Sequence, residues 1–194
     1  MYEFLLQSLR KYILLSPEEA DLLVSRISLR KVKKKQWLVT PGEISKTDYF
    51  VNKGCFRAYY QDDNGHQYIT KFALEGWWIS DILSLYTGEL TKLYVEALED
   101  GEVIAIHKDS MDQLFDEIPQ LNKYFRLVYQ KALVNASERV LCTISQSAYD
   151  HYMRFLTQYP NIEQRVPQYM IASYLGITPE FFSKLKAQAV KKIS

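Results

Sequence analysis

Cysteine is almost missing from this chain. Cys55 and Cys142 are the only two in 194 residues. Two thiols cannot build a disulfide framework or a four-cysteine cluster, so a reduced protein is expected. Histidine is nearly as scarce. His66, His107 and His151 include no His-x-His pair, whereas a metal enzyme on a β-roll gathers two histidines and a glutamate near one strand pair. An enzyme of that class is therefore not expected. Seven glycines and six prolines leave no room for a long flexible linker. No apolar run approaches the roughly 18 residues of a membrane span, and no membrane partner is expected. The opening MYEFLLQSLRK places Glu3 before its apolar part and has no basic leader, unlike a secretory signal. The expected location is the cytoplasm.

What is present is a core. The chain is 47% hydrophobic, and its periodicity changes along its length. Residues 2–29 read as helical, with Phe4, Leu5, Leu9 and Ile13 near one face. Ser16-Pro17-Glu18-Glu19 is a helix start, with a cap, a proline in the first turn and acids at the positive dipole end. Residues 30–107 change character. Glycines fall at 42, 54, 65 and 76, and the runs between them are aromatic and β-branched: Tyr49-Phe50-Val51, Phe56–Tyr60 and Tyr68–Phe72. Asp62-Asp63-Asn64-Gly65 predicts a hairpin with left-handed residues at Asn64 and Gly65. Evenly spaced short strands indicate an antiparallel jelly roll. Arg30–Lys35 is a basic run, read as a solvated strand entry or a contact to flanking DNA.

Helical spacing returns over 109–145. Leu121, Phe125, Val128, Ala132, Asn135, Arg139 and Cys142 alternate steps of four and three. That seam needs a partner. It predicts a homodimer interface through Leu121, Phe125, Val128, Ala132 and Asn135, with Asn135 fixing register. Residues 147–159 form a further helix. The divisions expected are 1–120 for the roll with its leading helices, 121–145 for the long helix and 146–194 for a C-terminal helical domain. The fold class is α+β.

Residues 166–186, VPQYMIASYLGITPEFFSKLK, carry the most about function. Ile171, Ala172 and Leu175 share one helical face. Gly176 can leave a helix through positive φ. Thr178 suits an N-cap and Pro179 the first helical position. Phe182, Leu185 and Ala189 then recur on one face. This is the layout of a helix-turn-helix, whose second helix can enter a major groove. Charge supports it. Residues 150–194 hold six Lys/Arg against three Asp/Glu, including Lys184, Lys186, Lys191 and Lys192, whereas 1–149 hold 18 against 20. A basic end on an acidic body is an electrostatic footprint for phosphate.

Helical leader, glycine-spaced roll, long helix and C-terminal helix-turn-helix together resemble the Crp/Fnr superfamily of bacterial transcription regulators, across nearly the whole chain. Leu15–Glu19, Tyr49-Phe50-Val51 with Gly54, Glu75-Gly76-Trp77-Trp78 and Ala172–Glu180 look like its Bacteroidetes-type branch. The resemblance implies a sequence-specific, homodimeric regulator with double-stranded DNA and RNA polymerase as partners. It places an effector pocket at Trp78, Ser80, Asp81, Thr91 and Lys92. Ser80-Asp81 stands where cyclic-AMP binders carry Gly-Glu, and Thr91 where they carry the arginine whose fork matches a phosphate. Cyclic AMP is therefore not the expected effector. Two cysteines cannot hold the family's iron–sulfur cluster, and His66, His107 and Cys55 are not expected to bind haem, so no cofactor is expected. In the helix-turn-helix, Glu180 matches the family's acid that accepts from cytosine, and Lys184 the base that donates to guanine. Pro179 replaces an arginine and implies a different operator. Tyr169, Thr178 and Ser183 are further DNA contacts, with Lys186 on phosphate. The alternative is a dimeric interaction module that has lost DNA binding.

Overall fold

A computed structural model describes residues 1–193, with side chains through Ala189. Lys191 and Lys192 of the basic cluster lie outside the described side chains. The chain forms two compact units, Met1–Ala58 with Phe72–Gln130, and Tyr59–Lys71 with Lys131–Ser194.

In the first unit α1 (Glu3–Arg10) and α2 (Pro17–Ser25) lead into the strands. Ser16 accepts from the Glu19 N–H, the cap expected, and the Glu19 side chain in turn accepts from the Ser16 N–H. The helical reading to residue 29 runs too far. Ile27–Val32 is strand β1, paired antiparallel from Ile27↔Ile106 to Val32↔Gly101. β-branched residues at both ends of that segment are buried on the sheet, and a strand partner outweighs the helical spacing.

β2 (Trp37–Val39), β3 (Thr47–Lys53), β4 (Phe56–Gln61), β5 (Gln67–Ala73), β6 (Trp78–Ile79), β7 (Leu93–Ala97) and β8 (Gly101–His107) complete the strands. They form two four-stranded sheets, ordered β1-β8-β3-β6 and β2-β7-β4-β5. This is the expected antiparallel jelly roll. Val32, Tyr49, Val51, Ile79, Val103 and Ala105 of the first sheet pack with Val39, Phe56, Ala58, Ala73, Val95 and Ala97 of the second. Alternate residues of the first sheet, Ile27, Phe50, Trp78, Ile104 and Ile106, turn to a second core shared with α1, α2, α4 (Lys108–Glu117) and the start of α5 (Gln120–Ser145). A side chain on Gly101 would lie 2.5 Å from the Lys53 carbonyl oxygen, so β3 and β8 approach there only because the residue is glycine.

The hairpin between β4 and β5 forms differently from its Asn-Gly signal. Only Gly65 takes positive φ, at 83°. The Asp62 carboxylate instead accepts from the N–H groups of Asn64 (3.0 Å) and His66 (2.8 Å). An aspartate that organises its own loop replaces the tight two-residue turn.

α5 requires the larger correction. Leu121 and Phe125 are 1% and 5% exposed within a single chain, and Val128 packs on the same core. Arg139 is engaged inside the second unit and Cys142 is buried. The two ends of the heptad seam are thus covered within the single chain, so Leu121 and Phe125 are not free to meet a partner. Between those ends Ala132 is exposed and Asn135 half-buried. A wider apolar stripe lies on the opposite side. Leu133, Val134, Val140, Leu141 and Ile144 are between 54 and 77% exposed, and at 100° per residue they fall within one continuous face.

The second unit holds the rest of α5, α6 (Ala148–Gln158), a 3-10 turn at Ile162–Gln164, α7 (Gln168–Leu175) and α8 (Pro179–Ile193). Its core is aromatic. Phe155 lies 5.0 Å from Tyr174 and 5.1 Å from Tyr159, and Tyr152 meets Phe182 edge-on at 5.3 Å, ring centroid to centroid. Such contacts fix orientation as well as bury area.

Candidate nucleic-acid interface

α7, the turn 176–178 and α8 form the helix-turn-helix. Gly176 ends α7 with φ 71°, and the Ile177 N–H donates to Ala172 O at 3.0 Å. Few residues other than glycine take that conformation cheaply. The Thr178 hydroxyl accepts from the Phe181 N–H at 3.2 Å, so Thr178 caps α8. Pro179 opens it, where a missing N–H leaves nothing unsatisfied.

Phe182, Leu185 and Ala189 are buried beneath α8. Glu180, Phe181, Ser183, Lys184, Ala187 and Gln188 are exposed together on its other side. Glu180 and Lys184, one turn apart, therefore share the free face. The Glu180 carboxyl is held below its ordinary range by its own backbone N–H and then by the Thr178 side chain. It remains ionised and able to accept. Lys184 has no ion-pair partner among the described residues. Tyr169 is exposed near the start of α7.

Lys186 is placed otherwise than expected. Its ammonium lies 2.8 Å from Glu163, and the Tyr152 hydroxyl donates to the same carboxylate at 2.9 Å. Burial first, then this carboxylate, raises the Tyr152 pKa. Lys186 faces back toward the domain, and in the free protein its charge is matched by Glu163. Phe181, which the sequence reading did not single out, is 49% exposed on the same free face of α8. The signal was available, since fixing Phe182 in the core turns its neighbour outward by about 100°.

The expected effector residues do not form one open receptor. Trp78 belongs to the core facing the helices. Its ring packs on Phe50 and Phe125 at 5.4 and 5.0 Å, and its indole N–H donates to the Tyr124 hydroxyl at 3.1 Å. Asp81 and Thr91 are buried and bonded to each other, hydroxyl to carboxylate. Asp81 also accepts from the Ser84 N–H at 3.2 Å, capping the short helix α3 (Ile82–Thr87). Ser80 is buried beside it, and Lys92 is exposed. The sequence reading missed a buried ion pair elsewhere in the roll, Arg57 with Glu96 at 2.6 Å.

The chain thus carries a jelly roll, a long helix and a capped helix-turn-helix, the motif whose second helix can enter a major groove. Comparison with known proteins agrees. The family model "Cyclic nucleotide-binding domain" matches residues 29–117. The chain is 25% identical over 188 residues to the "Fumarate and nitrate reduction regulatory protein" of Vibrio cholerae, covering 88% of this chain and 72% of that one. FixK2 from Bradyrhizobium japonicum shares the fold, with a TM-score of 0.72 at 20% identity, covering 86% of this chain and 85% of that one. CooA from Carboxydothermus hydrogenoformans gives 0.69 at 18%, covering 88% and 79%. Residues 29–117 thus match a cyclic nucleotide-binding domain, and the chain as a whole is similar to regulatory proteins of the Crp/Fnr type.

Proposed function

We infer that this regulator works as a cytoplasmic homodimer that reads a two-half-site operator with α8, without enzymatic activity or a bound cofactor. The observation that carries this reading is the free face of α8, where Glu180, Ser183 and Lys184 stand over a buried Phe182–Leu185–Ala189 stripe. Glu180 suits cytosine N4 and Lys184 guanine O6 or N7. Thr178, Ser183 and Tyr169 are the further contacts of this reading, to phosphate or groove, and Pro179 shapes the entry of the helix. A second copy seats on the outward apolar stripe of α5. No helix among the described residues is long and apolar enough to cross a membrane. RNA polymerase is a further partner of this reading.

Binding-site selection from a random DNA pool tests it. The unmodified protein should enrich two inverted half-sites about one helical turn apart. Glu180→Ala should relax one base pair per half-site and cost about 1–3 kcal/mol on the preferred duplex. Non-specific binding should hold or rise, since a negative charge facing DNA is lost. An unchanged preferred sequence would mean that Glu180 reads no base.

Cyclic AMP does not switch this protein in the same reading. An entering phosphate would meet the buried Asp81 carboxylate, with Thr91 already committed to it and no arginine in that segment to neutralise the charge. A desolvated like-charge pair is strongly unfavourable. Titration calorimetry should show no saturable heat with micromolar cyclic AMP, and a saturable isotherm would overturn the assignment.

A further inference from the structure

Within the second unit, three elements meet at the backbone of β5. β5 ends its sheet in the order β2-β7-β4-β5, so it has an edge whose polar groups need partners. Ser173 of α7 supplies two of them. Its hydroxyl donates to Gln67 O at 2.6 Å and accepts from the Ile69 N–H at 3.1 Å. These groups flank residue 68, and one side chain fills the place that a neighbouring strand would take.

Arg139 of α5 supplies two more. One guanidinium nitrogen donates to Thr70 O, and the other to Ile69 O and Tyr174 O, both at 3.0 Å. Tyr174 O is among the last carbonyls of α7, which have no partner within the helix. A cation there is also favoured by the helix dipole. The same guanidinium lies over the Tyr174 ring, 4.2 Å from its centroid. Only a planar, forked cation makes these contacts at once. The neighbouring His151 ring sits 6.3 Å from Tyr174. Gly176, where the recognition turn begins, follows two residues later.

We propose that Arg139 and Ser173 form a clamp through which the β4–β5 hairpin sets the orientation of the helix-turn-helix, so that Arg139 is a positioning residue for DNA recognition. A displacement of the β5 backbone is then carried through α7 and the turn 176–178 to α8. The proposal rests on the DNA-binding reading for its consequence, but the clamp has a test of its own.

Arg139→Lys, Ser173→Ala and Ser173→Thr are compared in the full chain. The readouts are amide hydrogen exchange, and binding to a duplex selected from a random pool and to a scrambled duplex. Arg139→Lys and Ser173→Ala should speed exchange at 67–70 and at the end of α7 together. They should weaken the selected duplex by roughly ten- to a hundredfold, equal to about 1.4–2.7 kcal/mol. Scrambled DNA and the salt slope should stay unchanged, and Ser173→Thr should restore both readouts. Unchanged exchange in both disruptive variants overturns the clamp. Equal loss on both duplexes overturns the positioning role, because it would mean that Arg139 itself contacts phosphate. If the unmodified protein selects no duplex, the DNA-binding reading fails. Exchange alone then decides: joint loosening of β5 and α7 supports the clamp, and separate or absent loosening overturns it.

Discussion

Leu133→Glu combined with Val140→Glu should turn this protein into a folded monomer and cost it most of its DNA affinity. Both residues lie on the outward stripe of α5 with Val134, Leu141 and Ile144, all more than half exposed in the single chain. Two copies bring ten such side chains together. A fully buried Leu, Val or Ile contributes about 1.5–3 kcal/mol. Even at half of that, the total is of the size needed to offset the roughly 4–15 kcal/mol cost of association. Two glutamates one heptad apart would place four like charges at the seam of a symmetric pair. Splitting the dimer removes the gain from two linked half-site contacts, about 10²–10⁴ in affinity. Sedimentation at micromolar concentration and duplex binding check both parts. Phe125→Glu should behave differently. It puts a charge into the core shared by the roll and the helices, and should unfold the first unit rather than yield a native monomer. If Leu133→Glu with Val140→Glu stays dimeric, α5 is not the dimer seam.

The contrast between those variants shows where the sequence was legible. Apolar spacing along α5 announced a stripe, but α5 carries two, and spacing cannot say which one the chain covers itself. Arg139 within the inner stripe was a clue, since a guanidinium among apolar positions has to find acceptors. Its acceptors are backbone carbonyls of β5 and α7, and only tertiary structure brings those together. The jelly roll was readable because its turns use glycine at strand junctions and its strands are aromatic and β-branched. The helix-turn-helix was readable because Gly176, Thr178 and Pro179 each meet a local backbone demand. Lys186 was not, because its partner Glu163 comes from the turn before α7. The Asp81–Thr91 bond was equally hidden. It joins residues on either side of α3 and converts the place expected for an effector into a self-satisfied pair.

The Lys186–Glu163 pair also sharpens the expected response of DNA binding to salt. Each copy carries Lys184 on the free face of α8, and its sequence adds Lys191 and Lys192 besides Lys186. Two copies thus carry six lysines without counting the two matched ones. If about six phosphates are neutralised, affinity should fall about a thousandfold or more between roughly 50 and 200 mM salt, because counterions released on binding must be displaced against a higher concentration. Lys186→Ala should lower the slope by much less than the roughly one unit per subunit expected of a free phosphate contact, since its ammonium is already paired 2.8 Å from Glu163. Its cost should appear as lower stability of the helix-turn-helix unit, where Glu163 would keep only the Tyr152 hydroxyl among its described partners. Lys184→Ala should instead weaken the preferred duplex more than a scrambled one, as a base contact would. Fluorescence anisotropy across a salt series, with thermal unfolding of each variant, separates these cases. A flat salt response of the unmodified protein would count against DNA as its partner, and a full unit of slope lost in Lys186→Ala would show that the Glu163 pair opens on the duplex.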